Sequence, residues 1–385
     1  EDANHELYVV GYDGAIYRLM EQPARPSNEA FPKKLSATGL FRSTKRHDLA
    51  PGVIRYSVNA EPWADGTIAE RFVALPGNTQ LDQYDSSNLQ IGFIKGHWKF
   101  PEDAVLAKTV SFERVRGRAD SRVRLETQIL HRHLDQWRAY SYIWNSDQTD
   151  AILAPDRGRD HEFEITDPAD AETPRQLKYH FASRSECLLC HSTRGGSIYG
   201  FTPAQLNRDH AYNGVVANQL VTLGHIGFFK RELPTKLPRM PSPYDTEAPL
   251  EQRARAYLHV NCAHCHRRGG GGTAAMDVQY GFTMKQTNLL GARPTQGTFG
   301  LAAAQVLAPG DPFRSVLLYR MAKTGRGRMP YFGSHNVDRR GVQLIANWIK
   351  RLPSTDPSTP EYIAAARSRQ RDLLAAISRD ERGVE

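Results

Sequence analysis

The segments SRSECLLCHS (residues 183–192) and VNCAHCHRRG (residues 260–269) each contain a Cys-x-x-Cys-His motif, and together they use all four cysteines of the chain. Covalent attachment of haem needs two thiols that reach two vinyl groups on one side of a porphyrin, and an imidazole that reaches the iron. Thiols three positions apart on a helical turn lie on one face, and a histidine directly after the second swings beneath the ring. Cys187, Cys190, Cys262 and Cys265 are therefore the expected attachment points of two haem c groups, with His191 and His266 as iron ligands. Two other uses of this spacing compete. A dithiol redox pair opens a helix in a βαβ unit and does not call for a following histidine. A four-sulfur zinc site made from the same cysteines leaves both histidines unexplained and spans a long intervening segment.

The second motif has a helical setting. PLEQRARAYLHVN precedes it with the pattern of a helix, and the glycine run 269–272 follows, where bare backbone is expected close to the haem edge. Asp311-Pro312 reads as an N-cap followed by proline at the first helical position. The stretch 338–352 carries Val342, Ile345, Trp348, Ile349 and Leu352 at helical spacing, which gives one apolar face. With the loop KTGRGRMPYFG between them, residues 249–352 resemble a class I cytochrome c domain. That resemblance implies that Met329, followed by Pro330 and lying before the last helix, is the sixth iron ligand. Thioether opposite imidazole fills both axial positions, so such a haem carries electrons and does not bind O₂. Met276, Met284 and Met321 sit in apolar contexts and read as core. His264, between the two cysteines, reads as a surface residue.

The first motif departs from that pattern. It follows the strand-like RQLKYHFASRSE, and no Met-Pro loop with a closing helix stands behind it. His180, His210, His225 and Met240 are candidate axial partners, none singled out by spacing.

The rest of the chain supplies the frame. GVIRYSV, RFVAL, VLAKTVSFE, RVRLETQIL and WRAYSYIWN are short apolar runs of strand type, separated by turn signals such as Ala64-Asp65-Gly66. They predict an antiparallel β-sandwich or barrel-like domain. In ILHRHLDQW, His131, His133 and Asp135 alternate along a strand and could share a metal, although such residues are more often a plain strand face. The expected organisation is α+β and multidomain: a β-hairpin and linker (1–28), a β-rich domain (29–182), the first attachment segment (183–245), an all-α class I cytochrome c-like domain (246–353) and a helical tail (354–385). Helices are expected from about Pro203, over 214–229, over 249–260 and after Asp311. The hairpin HELYVVGYDGAIYRLM resembles the closing strands of glucose/sorbosone dehydrogenase β-propellers, which implies a propeller upstream in a fusion. From Phe31 onward, APGVIRYSVNAEPWADG, SRSECLLCH, LNRDH and RARAYLHVNCAHCH resemble a family of exported bacterial proteins in which a β-rich domain precedes haem motifs.

The 385 residues, 24% of them charged and 40% hydrophobic, are ample for buried cores. The net charge of +8 comes from arginines spread along the chain and not from a nucleic-acid motif, so no nucleic-acid partner is expected. No apolar stretch is long enough to span a membrane. The expected function is that of a periplasmic or otherwise exported dihaem c-type cytochrome, moving electrons between redox partner proteins, from a linked quinoprotein-type sugar or alcohol dehydrogenase to a respiratory acceptor. The alternatives are a peroxidase-like enzyme working at the first haem, or a one-haem cytochrome with a β-rich binding module.

Overall fold

The structure, a computed structural model, describes residues 6–10, 14–18, 20, 31–83, 98–167, 170–191, 198–212, 214–268, 270–353 and 368. It divides into two compact units, Glu1–Lys33 and Lys34–Glu385. The first contains the expected hairpin: β1 (Tyr8–Val10) pairs antiparallel with β2 (Ile16–Arg18), Tyr8 opposite Arg18. Val9, Ile16 and Tyr17 are exposed on it. The linker residues 21–30 and all of the helical tail except residue 368 lie outside the described residues.

The second unit is organised by one sheet of six strands: β3 (Ile54–Tyr56), β4 (Ile68–Ala74), β5 (Val105–Glu113), β6 (Arg122–His133), β7 (Gln136–Trp144) and β8 (Ala151–Leu153). They pair antiparallel in sequence order, an up-and-down meander, and the apolar runs picked out above supply β3 to β7. The sheet remains open. Its end strands β3 and β8 are only three residues long, and short edge strands give little template for further pairing. The expected sandwich or barrel is therefore not formed.

Alternation along the strands separates two faces. On one, Leu106, Tyr56 and Val73 join Trp98, Phe100, Phe201, Leu206, Leu220 and Phe228 in a core. Farther along the same face, Val110, Phe112 and Leu125 pack against the hairpin of β9 (Arg159–Asp167) and β10 (Asp170–Phe181) through Leu177 and Phe181. Between these two apolar regions lie Lys108 and the fully buried Glu126, which accepts hydrogen bonds from Tyr179 (2.6 Å), Gln128 (2.6 Å) and Ser141. The opposite face buries His47 against Phe41, Phe72 and Trp144, with its Nε2 3.1 Å from Thr109 Oγ1.

The helices are α1 (Arg184–Cys190), α2 (Pro203–Leu206), α3 (Gln219–His225), α4 (Leu250–Cys262), α5 (Met284–Thr287), α6 (Val316–Met321) and α7 (Arg339–Arg351). The expected helix over 214–229 is split. Residues Val215–Asn218 form a strand paired with Asp209–Tyr212, and α3 begins only when the Asn218 side chain accepts from the N–H groups of Leu220 and Val221. Asp311 caps a 3₁₀ turn that leads into α6, and Asp338 caps α7 by accepting from Gly341 N–H.

The expected all-α domain is not present. Strand residues outnumber helical ones, 29% against 21%, so the described chain is predominantly β with open sheets. The physical reason is visible in the core around α4 and α7. Much of it comes from non-helical segments: Val278, Leu289, Val306 and Leu307 sit beside Tyr257, Leu258, Ile345 and Trp348. This part is also hydrogen-bonded to the sheet region through Trp63 and Asp65, and both belong to the one unit Lys34–Glu385.

Two outcomes test this packing. A Cβ on Gly341 would lie 2.3 Å from the ring of Tyr257, where α7 crosses α4. The Gly341→Ala substitution gains about 1 kcal/mol of helix propensity, but overpacking against a buried ring costs roughly 1–3 kcal/mol or more. Urea denaturation should show net destabilisation. Burial lowers the pKa of His47 from 6.5 to about 4, against the opposing pull of Glu70. The unfolded chain then binds the extra proton between those values, so stability is full above about pH 6.5 and falls by up to roughly 3 kcal/mol as pH drops towards 4. His47→Gln should flatten that part of the stability–pH curve.

Candidate functional site

Each Cys-x-x-Cys-His motif occupies a helical turn, but the two turns are entered differently. β10 ends at Phe181, and Ser183 then starts α1 with a capping box. Its Oγ accepts from Glu186 N–H at 3.2 Å, and Glu186 accepts in return from Ser183 N–H at 2.8 Å. Cys187 and Cys190 follow on α1, and His191 closes it, its N–H donating to Cys187 O at 2.9 Å. In the second motif α4 runs through Cys262, and the N–H groups of Cys265 and His266 donate back to Cys262 O at 3.1 and 2.8 Å. Thiols three apart on one turn, with an imidazole beside them, are thus present twice.

The fold brings the two motifs together. The Sγ atoms of Cys190 and Cys265 and a ring nitrogen of His264 all lie within 4.8 Å of one another. The Cys190 thiol and the His264 ring hold the Cys265 thiol well below its ordinary pKa, while the same contact and burial drive Cys190 upward. The outer cysteines behave otherwise. Burial, and then Glu126, push Cys187 up to about 11, and burial pushes Cys262 up to about 12. Tyr199 sits at the junction, donating its hydroxyl to Cys190 O at 2.5 Å, with its ring centroid 5.6 Å from that of His191 and 6.0 Å from that of His264.

His266 is held towards its neutral form. Burial first, then His264 and Arg320, lower its pKa. Its Nδ1 is buried with no hydrogen-bond partner among the described residues. Gly272 lies against this imidazole, where a Cβ would come within 2.7 Å of His266 Nδ1, and a Cβ on Gly270 would come within 2.3 Å of Cys265 O. Met329 is linked to the same region through Arg320, whose carbonyl accepts from Met329 N–H at 2.9 Å. The loop beyond Met329 is organised by buried Arg328, which donates to the carbonyls of Pro330 (2.6 Å), Ser334 (2.7 Å) and Asn336 (2.7 Å).

The other candidates are engaged elsewhere. His180 is held between Asp160 (2.5 Å) and Glu186 (2.9 Å); burial opposes its protonation, but these two carboxylates prevail and raise its pKa. His210 Nδ1 is 2.8 Å from Ser57 Oγ, and Met240 is buried with Ala60 and Ala256. Met321 is buried in the α4–α7 core, with Met276 and Met284 packed against it. His264, expected at the surface, instead contributes a nitrogen to the thiol cluster. Its place between Cys262 and Cys265 was the available signal. Glu126 and Tyr199, which shape the surroundings of the first motif, carry no motif that would have marked them.

Comparisons with protein-family models, curated proteins and solved structures find no match to this chain. The donor set itself is the remaining guide. Two thiols and one imidazole on a helical turn, with a buried unpartnered nitrogen on His266, fit covalent haem. Two sulfurs and a nitrogen within 4.8 Å also fit a soft transition ion.

The approach of the motifs can be tested directly. Diamide oxidation of the haem-free chain, followed by peptide mapping, should yield a Cys190–Cys265 cross-link. Bridges confined to Cys187–Cys190 and Cys262–Cys265 would show that the two turns do not meet.

Proposed function

We propose that this chain is an exported electron-transfer protein that carries two covalent haem c groups, one held by Cys187, Cys190 and His191, the other by Cys262, Cys265 and His266. The single observation that most supports this is that two haem-attachment motifs, far apart in sequence, converge at the Cys190–Cys265 contact. When bound, haem supplies a one-electron iron couple. The four cysteines would hold it as thioethers, and the imidazoles of His191 and His266 would ligate its iron. The lowered pKa of His266 keeps it neutral, and so able to ligate, at ordinary pH. Met329 is the proposed sixth ligand at the second site, on a loop that Arg328 and Asp65 hold in place. Tyr199 lies between the motifs, its ring beside those of both His191 and His264. The donor would be a sugar or alcohol dehydrogenase of the quinoprotein type, and the acceptor a respiratory protein.

A second reading rests on the cluster of Cys190, His264 and Cys265: a bound transition ion joining the two motifs, without haem. A pyridine haemochrome count on the chain exported with haem-attachment machinery separates the two. Two haems per chain are expected, falling to one in Cys262→Ser/Cys265→Ser. No haem, with zinc retained through purification, would replace the cytochrome with the metal site. Met329→Ala should keep both haems attached while removing the sulfur-to-iron absorption and lowering one midpoint potential. An unchanged spectrum would exclude Met329 as ligand.

A further inference from the structure

We propose that Asp103, His131 and His133 form a binding site for one divalent first-row transition ion, zinc above all, independent of the cysteine motifs. His131 and His133 are two apart near the end of β6, so their rings stand on one face of the strand, nearly parallel at 20° with centroids 5.6 Å apart. Asp103 completes the group from the segment before β5. Its Oδ1 is 3.1 Å from His131 Nε2 and 3.7 Å from His133 Nδ1, and the three donors all lie within 4.8 Å of one another. Ligands about 2.0–2.1 Å from a tetrahedral zinc ion stand about 3.3 Å apart, so the observed spacings require only small side-chain movements. Two imidazoles and one carboxylate are a donor set for ions of intermediate softness and leave further positions open to water or substrate.

The backbone holds the donors in place before any ion arrives. His131 pairs with Val105 of β5 on one side and with Arg138 of β7 on the other. Asp103 N–H donates to Arg132 O and Arg132 N–H to Ala104 O, both at 2.9 Å, which fastens Asp103 beside the end of β6. Leu134 and Asp135 turn the chain with φ of 53° and 61°, and both of their N–H groups donate to the carboxylate of Glu102. Glu102 thereby supports the turn, with Oε1 3.6 Å from His133 Nδ1. The third residue of that strand pattern, Asp135, points elsewhere: its carboxylate lies 2.6 Å from Arg132, which alternation places on the opposite face from the histidines. The site is open to solvent, with Asp103 59% exposed.

The full chain should bind one equivalent of Zn²⁺ at this site in equilibrium dialysis, and Cys190→Ser/Cys265→Ser should retain it. In that cysteine-substituted background His131→Ala or His133→Ala should weaken it by roughly tenfold or more. Asp103→Asn should weaken it likewise while leaving the circular dichroism unchanged, because asparagine also tolerates the positive φ of 59° at this position. Co²⁺ in the same background should show no sulfur-to-metal absorption. If the histidine variants fold poorly, Zn²⁺ should protect His131 and His133 of the unsubstituted chain from diethylpyrocarbonate. Equal Zn²⁺ affinity with and without these side chains, or no protection, overturns the proposal.

Discussion

The carboxylate of Asp65 joins the helical end of the chain to the sheet. It accepts from the N–H groups of His335 (2.8 Å) and Asn336 (2.7 Å), while neighbouring Trp63 donates its indole N–H to Asn336 O at 2.9 Å and its backbone N–H to Asn261 at 2.8 Å. Asn261 stands directly before Cys262, and Asn336 lies in the loop that Arg328 folds behind Met329. One turn between β3 and β4 therefore positions both the second Cys-x-x-Cys-His motif and the loop that carries Met329. Burial raises the pKa of Asp65, but the two backbone donors oppose this and give the carboxylate specific partners.

The first motif is positioned by a different device. β10 lies along the face of the sheet that carries Lys108 and Glu126, and the Ser183–Glu186 capping box turns the chain from strand into α1 within two residues of Phe181. Glu186 is shared between that cap and His180, so the strand end and the helix start are tied through one side chain. Cys187 is consequently turned towards the polar strip of the sheet, whereas Cys190, one turn on, meets Cys265. The convergence of the motifs depends on both anchors.

Local signals in the sequence marked the parts whose physics is local. Short apolar runs of strand type gave β3 to β7, Asp311-Pro312 announced a helix start, the apolar face over 338–352 announced α7, and Ala64-Asp65-Gly66 announced a turn. Long-range packing was not legible in the same way. The helical pattern around Cys262 suggested a self-contained α domain, because periodicity reports which face of a helix is buried but not what covers it. Here the cover includes non-helical strands of chain such as Val278, Leu289 and Leu307. The role of Asp65 beyond its turn, and the meeting of Cys190 with His264 and Cys265, depend on residues far apart in sequence. No spacing rule could bring them together.

The same geometry weighs haem against a bound ion. A metal site needs thiolates, and a thiol held protonated by burial is a poor ligand. Cys187 and Cys262 are of that kind, and so is Cys190; only the Cys265 thiol is held down, by Cys190 and the His264 ring beside it. An ion at the junction would therefore draw on three donors and leave Cys187, Cys262, His191 and His266 without a part in it. It would not account for the repetition of the motif or for a helical turn under each copy. Two covalent haems use all four cysteines and both of these histidines. In that case the contact between Cys190 and Cys265 sets how near the two redox groups are attached, and with it the ease of passing an electron between them.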